Sequence, residues 1–142
     1  MIERREIEAM IPHRAPFLWI ERVLELEPGV RCMALMLVQA DNPIFAGHFP
    51  GWPVLPGALL IEATAQTAGV MLASAAARGV TGRAMLASVN RFKFLKPVLP
   101  GEELRIETTT LTSRGKMACI SGSVRRGEEI VASGELSVVC DG

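Results

Sequence analysis

The sequence predicts an α+β fold in which one long apolar helix is wrapped by antiparallel strands. Three observations carry that expectation. Residues 57–77, GALLIEATAQTAGVMLASAAA, are apolar or small on every helical face, so other structure must surround them. After them come segments with strand character, AMLASVN, RFKFLKPV, ELRIETTTLTS, KMACISGSVRR and EIVASGELSVV. A chain of 142 residues without a composition break fits one domain with a substantial core, residues 1–142.

Taken in order, Ile2, Ile7, Met10 and Ile11 among Glu and Arg predict a short amphipathic helix that Pro12 stops. In HRAPFLWIERVLELEPG, Phe17, Trp19 and Val23 are apolar beside charged residues, and Pro28-Gly29 marks a turn. Arg31 to Gln39, RCMALMLVQ, reads as a largely buried strand despite weak strand formers. The central helix has Pro56 at its first position, Gly79 as its C-terminal cap and Arg78 complementing the dipole. The later strands are divided by Pro97 to Gly101, by Ser113-Arg114-Gly115 and by Arg126-Gly127-Glu128, turns short enough for an antiparallel meander.

Composition excludes several function classes. Fifteen Lys and Arg against fifteen Asp and Glu call for neither nucleic acid nor an anionic membrane. The N-terminus has no continuous apolar stretch of signal-peptide type, and no segment reads as an uninterrupted membrane span. Cys32, Cys119 and Cys140 are widely spaced without a C-x-x-C, which predicts packing thiols in a reducing cytoplasm rather than disulfides or zinc. A hydrophobic content of 49% beside 21% charged residues points to extra buried surface, either an oligomer interface or an acyl pocket.

The residues with chemistry cluster between Asn42 and Gln66, NPIFAGHFPGWPVLPGALLIEATAQ. Glu62 is the one charged residue between Gly57 and Ala77, and an ionised carboxylate in such surroundings costs several kcal/mol unless paired or hydrogen-bonded. A buried salt bridge and a service to the helix dipole are the structural alternatives. Gln66 lies one turn on and can donate to the same carboxylate, or be an ordinary polar helix residue. His48 sits in AGHFPG, fixed by Gly47, Pro50 and Gly51, and imidazole suits proton abstraction near neutral pH; a structural loop histidine is the alternative. Gly57 opens the helix, where an N–H without an intrahelical acceptor could receive a carbonyl, or the Pro-Gly pair could be punctuation alone.

Three blocks, HRAPFLWIERVLELEPG, GHFPGWPVLPGALLIEATAQ and RFKFLKPVLPGEEL, closely resemble the 3-hydroxyacyl-[acyl carrier protein] dehydratases of bacterial type II fatty acid synthesis. The resemblance runs from about Ile11 nearly to the C-terminus, and the central block is the specific one. It implies a hot-dog fold, dehydration of (3R)-hydroxyacyl thioesters and no metal or redox cofactor, the phosphopantetheine arriving with the substrate. By position it implies His48 as the base, Glu62 as its acidic partner and Gly57 as the donor to the thioester carbonyl. It also implies sites shared across a homodimer, alone or in a trimer of dimers, and an acidic acyl carrier protein as partner. Arg91 and Lys93, alternating with Phe92 and Phe94, are the docking candidates, together with Lys96 or Arg125 and Arg126.

The chain departs from the family at several points. Glu62 stands where the related dehydratase-isomerases carry Asp, which favours plain dehydration. Trp52 replaces a commonly polar residue, and with no tyrosine in the chain no tyrosine gate can operate, leaving Phe92 or Phe94 as substitutes or as core. His13 matches a position read as structural. A hot-dog acyl-thioesterase and a non-catalytic acyl-binding subunit are the competing classes; the presence of both His48 and Glu62 disfavours the second.

Overall fold

The computed structural model describes residues 1–75 and 83–141. In chain order these form α1 (Arg4–Met10), β1 (Arg22–Glu27), β2 (Arg31–Leu37), α2 (Ile44–Gly47), α3 (Gly57–Ala75), β3 (Arg83–Phe94), β4 (Glu103–Arg114), β5 (Met117–Arg126) and β6 (Glu129–Asp141). The six strands make one antiparallel sheet in the order β1-β2-β4-β5-β6-β3, with α3 packed across it against β2, β4 and β5. This is the α+β hot-dog arrangement that the sequence predicts.

Several details differ from the sequence reading, each for a local reason. Gly57 is the first helical residue of α3 and Pro56 precedes it; Arg78 and Gly79 lie outside the described residues. Arg22–Glu27, given no element above, is a strand because Val23 points into the core and Val23 and Ile2 exchange backbone hydrogen bonds. AMLASVN and the start of RFKFLKPV are one strand, bent where Arg91 takes φ 52° and the register against β6 shifts between Asn90 and Lys93. That bulge takes Arg91 out of the regular alternation assumed for the two cations, although Arg91 and Lys93 are both exposed. The β4–β5 and β5–β6 turns are only two residues long, each opened by a glycine at positive φ, Gly115 at 58° and Gly127 at 62°.

Helix α3 is less enclosed than its composition suggests. Leu60, Ala63, Thr64 and the run from Gln66 to Met71 are buried, and the Thr64 and Thr67 hydroxyls donate to the carbonyls of Leu60 and Ala63 at 2.7 and 2.9 Å. Ala58, however, is exposed, and Ile61, Glu62 and Ala65 on the same face are only half-buried. By length and composition α3 would qualify as a membrane span despite its polar residues Glu62, Thr64, Gln66 and Thr67; its packing on the sheet, with half of its most apolar window buried, makes it a core helix.

The closest seat of α3 on the sheet is Gly122 of β5, where an added Cβ would lie 2.5 Å from Thr64 Cγ2. Gly122→Ala should therefore destabilise the fold by about 1–3 kcal/mol, read as a lower denaturant midpoint. An unchanged midpoint would show that the helix is not seated there.

Candidate active site

The loop carrying His48 is built from local hydrogen bonds. Asn42 Oδ1 accepts from the Ile44 N–H at 3.0 Å to open α2, and buried Phe45 anchors that short helix. Beyond it the chain folds back: Val54 N–H donates to the His48 carbonyl at 3.0 Å, Phe49 and Trp52 exchange backbone bonds, and Gly51 supplies the positive φ of 73°. His48 Nδ1 lies 2.8 Å from the Val54 carbonyl. A carbonyl only accepts, so Nδ1 carries the hydrogen, and a neutral ring then holds its lone pair on Nε2. The His48 ring stacks on Phe49 with centroids 4.0 Å apart, and Phe49 on Trp52 at 5.7 Å. Trp52, 66% exposed, thus caps the outer side of the loop.

His48 opens onto a cleft of about 520 Å³ lined also by Val54, Gly57, Phe94, Lys96 and Val98. Its floor is fixed by Leu55 N–H, which donates to the Val98 carbonyl at 2.8 Å. Gly57 brings a first-turn N–H to this wall, one of the groups that a helix cannot satisfy internally. The space where its Cβ would stand is occupied by Phe94, whose Cε1 would be 2.8 Å away. Phe92, by contrast, packs partly buried against the core, its ring 5.5 Å from that of Phe94. Of the two phenylalanines, Phe94 is the one at the cleft.

Glu62 is not among the residues lining that cleft. Five positions past Gly57, it is rotated by about 140° around the helix, so the two face different directions. Its Oε2 accepts from Gln66 Nε2 at 2.9 Å and lies 3.4 Å from His13 Nε2. Gln66 is fully buried; its amide also donates to the Phe17 carbonyl at 2.8 Å and accepts from the Trp19 N–H at 2.9 Å. The chain therefore joins Glu62 with Gln66, and His48 with Gly57, as two separate groups. The neighbour of Glu62 that sequence reasoning missed is His13; its signal was the PHRAPF block, where a second histidine stands beside two prolines.

Among the described residues, no three His, Cys, Asp or Glu side chains cluster as a metal site would require. Cys32 is buried, which pushes its thiol up to about 12, as a packing thiol should be. Cys119 departs from that expectation: half-buried, it hydrogen-bonds Ser137 at 3.4 Å, and that bond, with one to Thr112, holds its thiol below the usual value.

Known proteins resemble this chain over nearly its whole length. A family model described as the FabA-like domain matches residues 11–135. The chain belongs to the FabA-like family. The 3-hydroxyacyl-[acyl-carrier-protein] dehydratase FabZ of Desulforamulus reducens is 42% identical to this family member over 137 residues, covering 96% of the chain and 95% of the relative. The protein of the same name from Geotalea uraniireducens is 45% identical over 119 residues, covering 82% and 81%. Among solved structures, the dehydratase heterocomplex ApeI:P from Xenorhabdus doucetiae superposes with a TM-score of 0.78 at 20% identity, over 96% of this chain and 91% of that one, which supports the fold.

Because Phe94 is half-exposed and can rotate away, Gly57→Ala should fold normally but drive the ring into the cleft. Affinity for an acyl-thioester probe should fall about tenfold, and Phe94→Leu added to it should restore most of the loss. Unchanged affinity in Gly57→Ala would show that the ring does not control the cleft.

Proposed function

We propose that this chain, acting as one hot-dog domain in the cytoplasm, dehydrates (3R)-hydroxyacyl-acyl carrier protein to the trans-2-enoyl form in acyl-chain biosynthesis. The observation that carries the reading is the contact of His48 Nδ1 with the Val54 carbonyl on the wall of the cleft that Gly57 shares, which leaves Nε2 as the basic nitrogen of the neutral ring. Nε2 takes the C2 proton, the Gly57 N–H receives the thioester carbonyl as negative charge develops on its oxygen, and the C3 hydroxyl leaves with a proton. The C2–H and C3–O bonds break while the C2–C3 double bond and an O–H bond of the departing water form, so the step is redox-neutral, and the proposal routes none of it through a metal or redox cofactor. A backbone donor of this kind is worth about 3 kcal/mol in the transition state.

The acid that assists the leaving hydroxyl is Glu62 of a second copy. Three observations support a homodimer. Glu62 faces away from its own cleft, and among the described residues the face of α3 that carries it is incompletely covered and β3 pairs with β6 alone while exposing Met85, Leu86 and Val89. The homodimer could in turn assemble as a trimer of dimers. The substrate's phosphopantetheine arm would reach the cleft past Lys96, with exposed Arg91 and Lys93 on the same segment steering an acidic carrier protein.

His48→Ala and Glu62→Gln should each lower turnover of hydroxyacyl-carrier substrate by about 10²-fold or more while leaving the fold intact. Enoyl absorbance and thiol release, followed together, check this: near-parental enoyl formation in either variant contradicts the assignment, and thiol release in place of enoyl product would make the chain a thioesterase. Reversing the charges of Arg91 and Lys93 should raise KM for carrier-bound substrate but not for a small thioester mimic; equal effects on both would exclude docking at these residues.

A further inference from the structure

The segment from Ile11 to Trp19 runs along one face of α3 and meets it at three heights. Ile11 lies over Gly69, where an added Cβ would be 3.2 Å from Ile11 Cγ2. Phe17 and Trp19 are held by the buried Gln66 amide. Between these contacts His13 reaches Glu62, and its backbone is fixed by Arg14 Nη1, which donates to the carbonyls of Ile11 at 2.9 Å and His13 at 2.7 Å.

Both N–H donors of Gln66 are used and its amide orientation is fixed, because the Trp19 N–H needs the oxygen while the Phe17 carbonyl and the Glu62 carboxylate need the nitrogen. One donor at 2.9 Å fixes one carboxylate oxygen but leaves the plane of the carboxylate free to turn. His13 supplies a second contact to that oxygen, at 3.4 Å, longer than a good hydrogen bond but close enough to orient the group electrostatically. Its Nδ1 is shut off from solvent and has no partner among the described residues. An Nε2–H facing the carboxylate leaves Nδ1 as a bare lone pair, so the hydrogen sits where it has an acceptor.

We infer that His13 is a positioning residue for Glu62. With Gln66 it holds Oε2, so that Oε1 is the oxygen presented to the substrate's leaving hydroxyl. The inference rests on the reading of Glu62 as the acid, and it assigns to His13 a task beyond packing.

The test is steady-state kinetics of the full-length protein on hydroxyacyl-carrier substrate, with folding checked by melting and assembly by gel filtration. His13→Leu should lower kcat about tenfold or more with KM changed less than about twofold, because positioning acts on the transition state. His13→Gln, whose amide nitrogen can stand where Nε2 stood, should recover most of that loss. Added to Glu62→Gln, His13→Leu should cost less than about twofold further, since the two act through one group. A His13→Leu enzyme within twofold of the parent, or one that loses as much on the Glu62→Gln background, overturns the inference. Should leucine prevent folding, His13→Gln must exceed His13→Asn, whose amide mimics Nδ1, by about fivefold in kcat, and equal rates overturn it. A near-parental rate in Glu62→Gln would instead remove the reading of Glu62 as the acid, and the role of His13 with it; an inactive Glu62→Gln beside an unaffected His13→Leu removes the role of His13 alone.

Discussion

The Gln66 amide is the interaction on which the rest of the site depends. Fully buried, it joins α3 to the 17–19 segment through two backbone groups and spends its remaining donor on the Glu62 carboxylate. An acid one turn away on an otherwise apolar helix is thereby held without a full counter-charge on the helix itself. The same bonds set the height at which Ile11 and His13 meet the helix, so the position of Glu62 and the packing of the N-terminal segment form one structural unit.

The site's other half is organised by backbone rather than side chains. His48 is turned by the Val54 carbonyl, the loop is closed by paired backbone bonds, and Gly57 is overlaid by the ring of Phe94. Helix geometry separates this half from Glu62, because five residues carry the chain to a different face. Among the described residues, the helix has an incompletely covered stripe and the sheet an unpaired, apolar edge at β3, and both are answered by a second copy in the proposed dimer. Association would then complete chemistry and burial together.

Much of this was legible in the residues. The charge-poor run at 57–77 specified the core helix, and the strand patterning specified the sheet on which it lies. The i, i+4 spacing brought Gln66 to Glu62, and the Gly-Pro punctuation placed His48 on a fixed loop. What remained illegible depends on contacts between residues distant in sequence. Local pattern cannot say that His13 reaches Glu62, nor that Phe94 fills the missing Cβ of Gly57, because each pairing is set by tertiary packing. The bulge at Arg91 was hidden for the related reason that a positive φ at arginine has no sequence signature. The strand at Arg22–Glu27 was missed because its sheet neighbour, not its own pattern, pairs it.

The central claim, that each site takes His48 from one chain and Glu62 from another, is tested most directly by mixing two inactive variants. Co-assembly of His48→Ala with Glu62→Gln gives heterodimers in which one site has lost both groups and the other has both intact. If the site is shared, purified heterodimers should regain about half of the parental turnover, the fraction set by one working site of two. Heterodimers as inactive as either parent variant would contradict the account and place both groups in a single chain's site.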